Sequence, residues 1–439
     1  MNDVDRRRFL GRFARYAGTA LAAPSLKGLT ACAYRSSGGG RPGHELRATP
    51  RDGSYGELRR AGAELALPEG FSYTVLGREG SEMSDGRPTP RAHDGMAAFP
   101  LRNGNVRLVR NHEDRSAARE AEQVGDPELA YDPLGGGGTT SLEVRVGDDG
   151  SVELVRDFVS LSGTIVNCAG GPTPWNAWLS CEETTEGPSH GWERKHGYVF
   201  EVDADSEEQV RARPLEAMGR FVHEAVAVDS RTGLLYLTED RDRAGFYRFL
   251  PNELDELERG GDLQMLAVRG EPRLETHTGI DIGTRFPVEW VDIPEPDTDE
   301  AEENDLAVFG QGREQGAAEF SRLEGCWYGD GGVYFHATDG GDAGKGQVWK
   351  YTPGEADDGG ELALVFESPG AELLDSPDNI TVSPRGGIVI CEDGSGGNYL
   401  RGLTPEGKIF DLARNVLNDR EFAGATFGPR GRVLFVNIQ

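Results

Sequence analysis

Apolar and polar positions alternate over short stretches through most of this chain, and long apolar runs are rare. From about residue 90 the alternation predicts strands at 152–161, 197–203, 234–239, 245–249, 333–337, 347–351, 387–391 and 432–437. Clusters of Gly, Asn, Asp and Pro separate them, which is turn chemistry. Helical spacing is confined to 251–259, to 412–417 and to 116–122. The expected fold class is all-β.

A loose internal repeat runs through these strands. The stretches 225–240, 379–393 and 425–437 share one form: strand, tight Gly turn, strand, then a polar or acidic end. Trp178-Leu179-Ser180-Cys181-Glu182-Glu183 and the stretch 332–339 read as further copies of the second strand. Hairpins recurring at intervals of tens of residues predict a β-propeller, and about 380 residues at roughly 60 per blade predict six blades with insertions. Glycine fits this picture, since 62 of 439 residues is about twice the usual share. The acidic run 295–305 reads as a solvated insertion loop.

Charge narrows the partners. With 75 Asp+Glu against 46 Lys+Arg the formal charge is −29, which repels phosphate backbones and anionic lipid and argues against a nucleic acid partner. The N-terminus is an address. Residues 5–10 read Asp-Arg-Arg-Arg-Phe-Leu, a twin-arginine (Tat) export pattern, and a weakly apolar stretch follows, too short and polar to span a membrane. It ends Leu29-Thr30-Ala31-Cys32, which fits a lipobox with Cys32 as a lipid anchor. The expected layout is a Tat signal over 1–31, a flexible tether over 32–60 and one propeller domain over 61–439. The expected location is periplasmic or membrane-anchored at the cell surface, and the expected state is a monomer. Tat carries folded proteins, which favours a cofactor loaded before export. Of the five cysteines, four remain after Cys32: 168, 181, 326 and 391. In an oxidising compartment two disulfides are the plain expectation.

The predicted second strands end in carboxylates: Glu182/Glu183, Glu239/Asp240, Asp339 and Glu392/Asp393. In a propeller equivalent strand ends share one face around the channel, so these acids would converge. Their mutual repulsion is ordinarily relieved by a hard cation such as Ca²⁺, which takes six to eight oxygens. Acids that merely solvate loops are the plainer alternative for any one pair. Zinc-hydrolase, nucleophile-elbow and P-loop motifs are absent. His112 and His223 sit in polar contexts and read equally well as structural hydrogen-bonders.

The run Asn167-Cys168-Ala169-Gly170-Gly171-Pro172-Thr173-Pro174-Trp175-Asn176-Ala177-Trp178-Leu179-Ser180-Cys181-Glu182-Glu183 resembles the signature segment of the PhoX-type alkaline phosphatases. Gly219-Arg220-Phe221-Val222-His223-Glu224 and Leu434-Phe435-Val436-Asn437-Ile438-Gln439 match it too. The resemblance implies a Tat-exported six-bladed propeller that hydrolyses small phosphate monoesters with Ca²⁺ and Fe³⁺. It implies that Cys181 and Glu182 contact iron, that Glu224 and Glu324 are further metal carboxylates, and that Arg322 holds the phosphate. Calcium then falls to strand-end acids including Glu239, Asp240 and Asp378, with Glu113, Glu183 and Glu392 as further candidates. Cys181 could alternatively pair with Cys168. Two rival functions stay open: a calcium-dependent propeller lactonase or diesterase, and a non-catalytic surface scaffold.

Overall fold

The computed structural model describes residues 46–354 and 359–439, so the Tat motif and Cys32 lie outside the described residues. Strands β1 (Leu58–Arg60) and β2 (Leu65–Pro68) form an opening hairpin. Strands β3 (His93–Pro100), β4 (Val106–His112), β5 (Gly137–Val146) and β6 (Val152–Thr164) make a four-stranded antiparallel sheet. A three-stranded sheet follows: β7 (Asn167–Pro172), β8 (Ala177–Glu182) and β9 (Val199–Asp203). Two meanders come next. One is β10 (His223–Val228), β11 (Leu235–Glu239), β12 (Phe246–Pro251), β13 (Gly261–Val268) and β14 (Arg285–Asp292). The other is β15 (Leu323–Gly329), β16 (Gly332–Ala337), β17 (Gln347–Thr352) and β18 (Glu361–Glu367), joined to the first where β14 pairs with β18. Last are β19 (Pro377–Val382), β20 (Ile388–Glu392), β21 (Tyr399–Leu403) and β22 (Ile409–Asn415), then the hairpin β23 (Phe422–Phe427) and β24 (Leu434–Ile438). The fold is essentially all-β, as the alternation predicts.

The first strand of each group packs against the first strand of the next. Contacts run β3 to β7, β7 to β10, β10 to β15, β15 to β19, β19 to β23, and from β23 back to β3. These inner strands form a closed cycle, and small residues let them approach. Gly95, Ala169, Ala225, Gly325, Asn379 and Ala425 line a void of only about 10 Å³, too little for more than one water. A side chain at Gly95 would put its Cβ 2.6 Å from the Ala169 Cα, and one at Gly325 would meet the Asp378 carbonyl at 2.6 Å. The middle of the cycle is therefore packed shut.

The N-terminal strands complete a sheet instead of trailing from it. β2 pairs with β22 through Leu65–Asn415 and Ala66–Arg414, covering what would be an open edge. Leu65 and Leu67 join Val389, Leu400 and Ala413 in one apolar cluster. Arg47 bridges to Ile409 and ion-pairs with Asp411 at 3.3 Å, so residues 46–60, expected within the tether, are bound to the sheets.

The helical expectations fail for local reasons. Residues 412–415 belong to β22, whose apolar positions pair with β21. In 251–259 only a 3₁₀ turn forms, at Leu257–Arg259, because β12 still occupies Pro251 and Gly260 ends the turn. Residues 116–122 make turns and bends. The acidic run 295–305 is also more than a solvated loop. Thr298 caps the 3₁₀ turn Asp299–Glu302, Glu302 accepts the Ser189 N–H at 2.6 Å, and a helix α1 (Ala307–Glu314) follows with Val308 and Phe309 buried.

Candidate metal centre

Each inner strand breaks register at the same place. Between His93 and Met96, Asn167 and Gly170, His223 and Val226, Leu323 and Cys326, Pro377 and Ile380, and Ala423 and Thr426, two residues have no ladder partner. A bulge bends its strand and re-aims a side chain. The first bulged residue is Asp94, Cys168, Glu224, Glu324 and Asp378 in turn; in β23 it is Gly424, and Glu421 just ahead of that strand supplies the carboxylate instead. The second bulged residue is the small one that plugs the cycle.

These side chains converge. Ligand atoms of Asp94, Glu113 and Cys168 lie within 4.8 Å of one another, and the same holds for Cys168, Glu183 and Glu224, for Glu224, Glu324 and Asp378, and for Asp378, Asp393 and Glu421. The four groups share Cys168, Glu224 and Asp378, so they form one continuous patch. Glu113, Glu183 and Asp393 each sit one residue past the end of a second strand, which places them on its rim.

Without compensation such a patch is costly. Burial, followed by the charges of Asp378 and Glu183, pushes the Glu224 carboxyl well above its usual range. Burial with Asp240 and Glu224 does the same to Glu324, and burial with Glu113 and Asp378 to Asp94. Burial also lifts the Cys168 thiol, with Asp94 and Glu224 adding to it. Both oxygens of Glu224 and Oδ1 of Asp94 are buried without a hydrogen-bond partner. Buried acceptors are otherwise almost always satisfied, so these atoms fit a bound cation. The donor set of one thiol among many carboxylates suits hard cations with one softer position.

Two arginines edge the patch. Arg322 grips Asp240 through Nε (3.0 Å) and Nη2 (2.9 Å) and reaches Glu324 at 3.0 Å. Arg115 pairs with both Glu113 and Glu183.

Residues 54–439 match the family model described as alkaline phosphatase PhoX. The chain belongs to the PhoX alkaline phosphatase family. Membership makes it an enzyme of phosphatase type. Among solved structures it is similar to Pseudomonas fluorescens PhoX bound to vanadate, a transition-state analogue, at 17% identity over 87% of this chain and 92% of that one, with a TM-score of 0.66. A Xanthomonas campestris gluconolactonase (14% identity, 80% and 83% covered, TM-score 0.37) and a Bacteroides uniformis putative 6-phosphogluconolactonase (11%, 79% and 89%, 0.34) are more distant. No curated protein matches.

In this PhoX-family chain the cluster brings together Glu113, Glu183, Glu224, Glu324 and Asp378 of the expected residues, with Arg322 and Asp240 at the edge. It does not include Cys181, Glu182, Glu239 or Glu392. Strand alternation is the reason: side chains at successive positions point to opposite faces. In each Glu-acid pair the first residue turns into its own sheet. Glu182 accepts the N–H groups of Ile165 (3.0 Å) and Gly197 (2.9 Å). Glu239 accepts Gly245 N–H and the Tyr247 hydroxyl, both at 2.8 Å, and burial pushes it up to about 8. Glu392 accepts Asp375 N–H at 3.0 Å and pairs with Arg401 at 2.8 Å. Cys181 faces the apolar cluster of Leu179, Phe221 and Val226. Cys168 is the thiol at the patch. All four described cysteines are free and buried, so the expected disulfides do not form here. Asp94, Cys168, Glu421 and Arg115 escaped the sequence reading as ligands or ion-pair partners.

Beneath the rim, His196 is fully buried between Glu182 (Nδ1–Oε1, 2.6 Å) and Asp132 (Nε2–Oδ2, 3.5 Å). Burial alone would lower its pKa, but Glu182 and Asp132 outweigh burial and raise it to about 9. A raised histidine contributes stability that is complete below its unfolded value near 6.5 and is lost as pH climbs through 9. Of the stability lost in urea unfolding across pH 6 to 10, His196 should account for on the order of 3 kcal/mol. His196→Gln should remove that component; an unchanged pH slope in the variant would rule it out.

Proposed function

We propose that this PhoX-family enzyme hydrolyses small phosphate monoesters at a cluster of Ca²⁺ and Fe³⁺ held by the bulge residues. The observation that carries the reading is Glu224, which belongs to two of the four ligand groups and whose two oxygens are buried without a hydrogen-bond partner. Cys168, Glu183 and Glu224, the group that contains the thiol, would hold iron, the softer and more highly charged ion. Asp94, Glu113, Glu324, Asp378, Asp393 and Glu421 would hold calcium through oxygen alone. When bound, the cations would polarise the phosphoryl oxygens and neutralise charge developing as the ester bond breaks. The chain's own residues do the rest. Arg322, held against Asp240 and Glu324, has Nη1 left to donate a charge-assisted hydrogen bond to a phosphate oxygen. The plugged cycle closes the floor of the site, so substrate enters and product leaves by the rim. The Cys168 proton, held tightly by burial, must leave for the thiolate to serve as a ligand.

The closed cycle of six inner strands supports a six-bladed propeller as the architecture. Among the described residues no helix is long and apolar enough to cross a membrane. Tat export to the periplasm or cell surface, with 1–31 as signal and Cys32 as an optional lipid anchor, fits the N-terminal motif. A monomer remains the expected state.

The test separates the two cysteines. Elemental analysis of natively exported protein should find calcium and iron, and chelation should abolish turnover of a simple aryl phosphate. Cys168→Ser should lose iron and at least about 100-fold in turnover. Cys181→Ala should cost about 1–2 kcal/mol of stability yet keep both metals. Full iron and full turnover in Cys168→Ser would sink the assignment.

A further inference from the structure

Arginine 115 lies one position beyond Asp114, in a segment pinned on both sides. Glu113 N–H bonds the Ala92 carbonyl at 2.9 Å, and the Asp114 carbonyl accepts Val166 N–H at 3.1 Å from the link between β6 and β7. Asp114 is further held by Arg91 and by the Ser116 hydroxyl at 2.8 Å. From that fixed base Arg115 spans a sheet boundary, pairing with Glu113 behind β4 and Glu183 behind β8. Arg322 does the same across the next boundary but one, from Asp240 behind β11 to Glu324 in β15. The rim therefore reads Glu113, Arg115, Glu183, Asp240, Arg322, Glu324: carboxylates bridged by two arginines.

Exposure separates the two kinds of group. The side chains of Glu113, Glu183, Asp240 and Glu324 are 7–9% exposed, whereas Arg115 is 58% and Arg322 41% exposed. An anion arriving from solvent meets guanidinium before carboxylate. Their donor accounts also differ. Arg322 spends Nε and Nη2 on the protein. Arg115 makes both its pairs through Nη2, and among the described residues Nε and Nη1 have no partner. Those remaining N–H groups point away from the two carboxylates, and each can donate a charge-assisted hydrogen bond to an oxygen of an anion at the rim.

We propose that Arg115 is a second phosphate-binding residue of this site, gripping the substrate's phosphoryl oxygens opposite Arg322 and setting the preference for a terminal, doubly charged phosphate. This rests on the phosphatase reading above. A monoester dianion has three terminal oxygens for two arginines to share; a diester has two and a single charge, and gains less from the second arginine.

The test uses the exported, metal-loaded full chain and the half-exposed Arg115→Gln and Arg115→Lys variants. Inorganic phosphate binding, followed by calorimetry, should weaken roughly 10- to 100-fold in Arg115→Gln, and Arg115→Lys should recover only part, because a single ammonium cannot hold both carboxylates and still reach the anion as the wider guanidinium does. The KM for an aryl phosphate monoester should rise by the same factor with kcat less affected, and the monoester-to-diester ratio should fall. Calcium and iron content should match the parent. Unchanged phosphate affinity in Arg115→Gln with metals intact would overturn the proposal, as would metal loss restored by Arg115→Lys, which would make Arg115 a counter-ion of the ligands only. If the parent binds phosphate through Arg115 but turns over no ester, the phosphatase reading fails while the anion site stands.

Discussion

Glu224→Gln is expected to abolish metal-dependent turnover and, in the same protein, to raise the stability of the metal-free form. Two ligand groups share this carboxylate, so its loss cuts the patch in the middle. Since disturbing even the outer partners of metal ligands costs 10- to 100-fold, the loss of turnover should be at least about 100-fold. The opposite effect on the metal-free chain follows from the same geometry. Burial and the charges of Asp378 and Glu183 disfavour the ionised form, and neither oxygen finds a donor. A neutral amide of equal shape removes that repulsion and can donate to a neighbouring carboxylate, which is worth about 1–3 kcal/mol. Thermal unfolding of parent and variant, with chelator and with calcium, reads both arms. The parent should be the more stable with calcium and the less stable without it. A variant destabilised under both conditions would mean that Glu224 is an ordinary structural acid.

The second large effect is expected at Gly95. Its Cβ would sit 2.6 Å from the Ala169 Cα and 2.9 Å from the Cys168 carbonyl, and backbone cannot step aside as a side-chain tip can. Gly95→Ala must push β3 from β7, so unfolding should become easier by about 3 kcal/mol or more. Metal content should fall as well, because Asp94 and Cys168 flank the contact. Gly270→Ala is the control: it also replaces a glycine but meets nothing within 4 Å, and only its positive φ of 85° should cost about 1 kcal/mol. Equal effects at the two positions would show that the inner strands have slack.

Much of this was legible in the order of residues. The strand positions followed from alternation, and the repeat located the hairpins because each carries its own turn chemistry. Extending the repeat by one residue toward the N-terminus would have aligned Glu224 with Asp378, both directly ahead of the matched stretches. Asp94, Cys168 and Glu324 hold the same place ahead of Gly95, Ala169 and Gly325. The carboxylates at the ends of the second strands include Glu183 and Asp393 but also Glu182, Glu239 and Glu392. Those are acids of the same type one position away, and they face their own sheets.

What the sequence by itself determined was therefore the kind of chain: β-strands in repeated hairpins, an excess of acid at their ends, and a signature segment of the PhoX family. These are local properties, set by alternation, turns and short motifs. Which acids meet was a different matter. A bulge shifts the side-chain alternation by one residue, and only the pairing between strands shows where it falls. That shift turned Cys168 toward the patch and left Cys181 in the apolar core. It also needed the closed cycle, since Asp94 comes near Asp378 and Glu421 only when β23 packs back against β3.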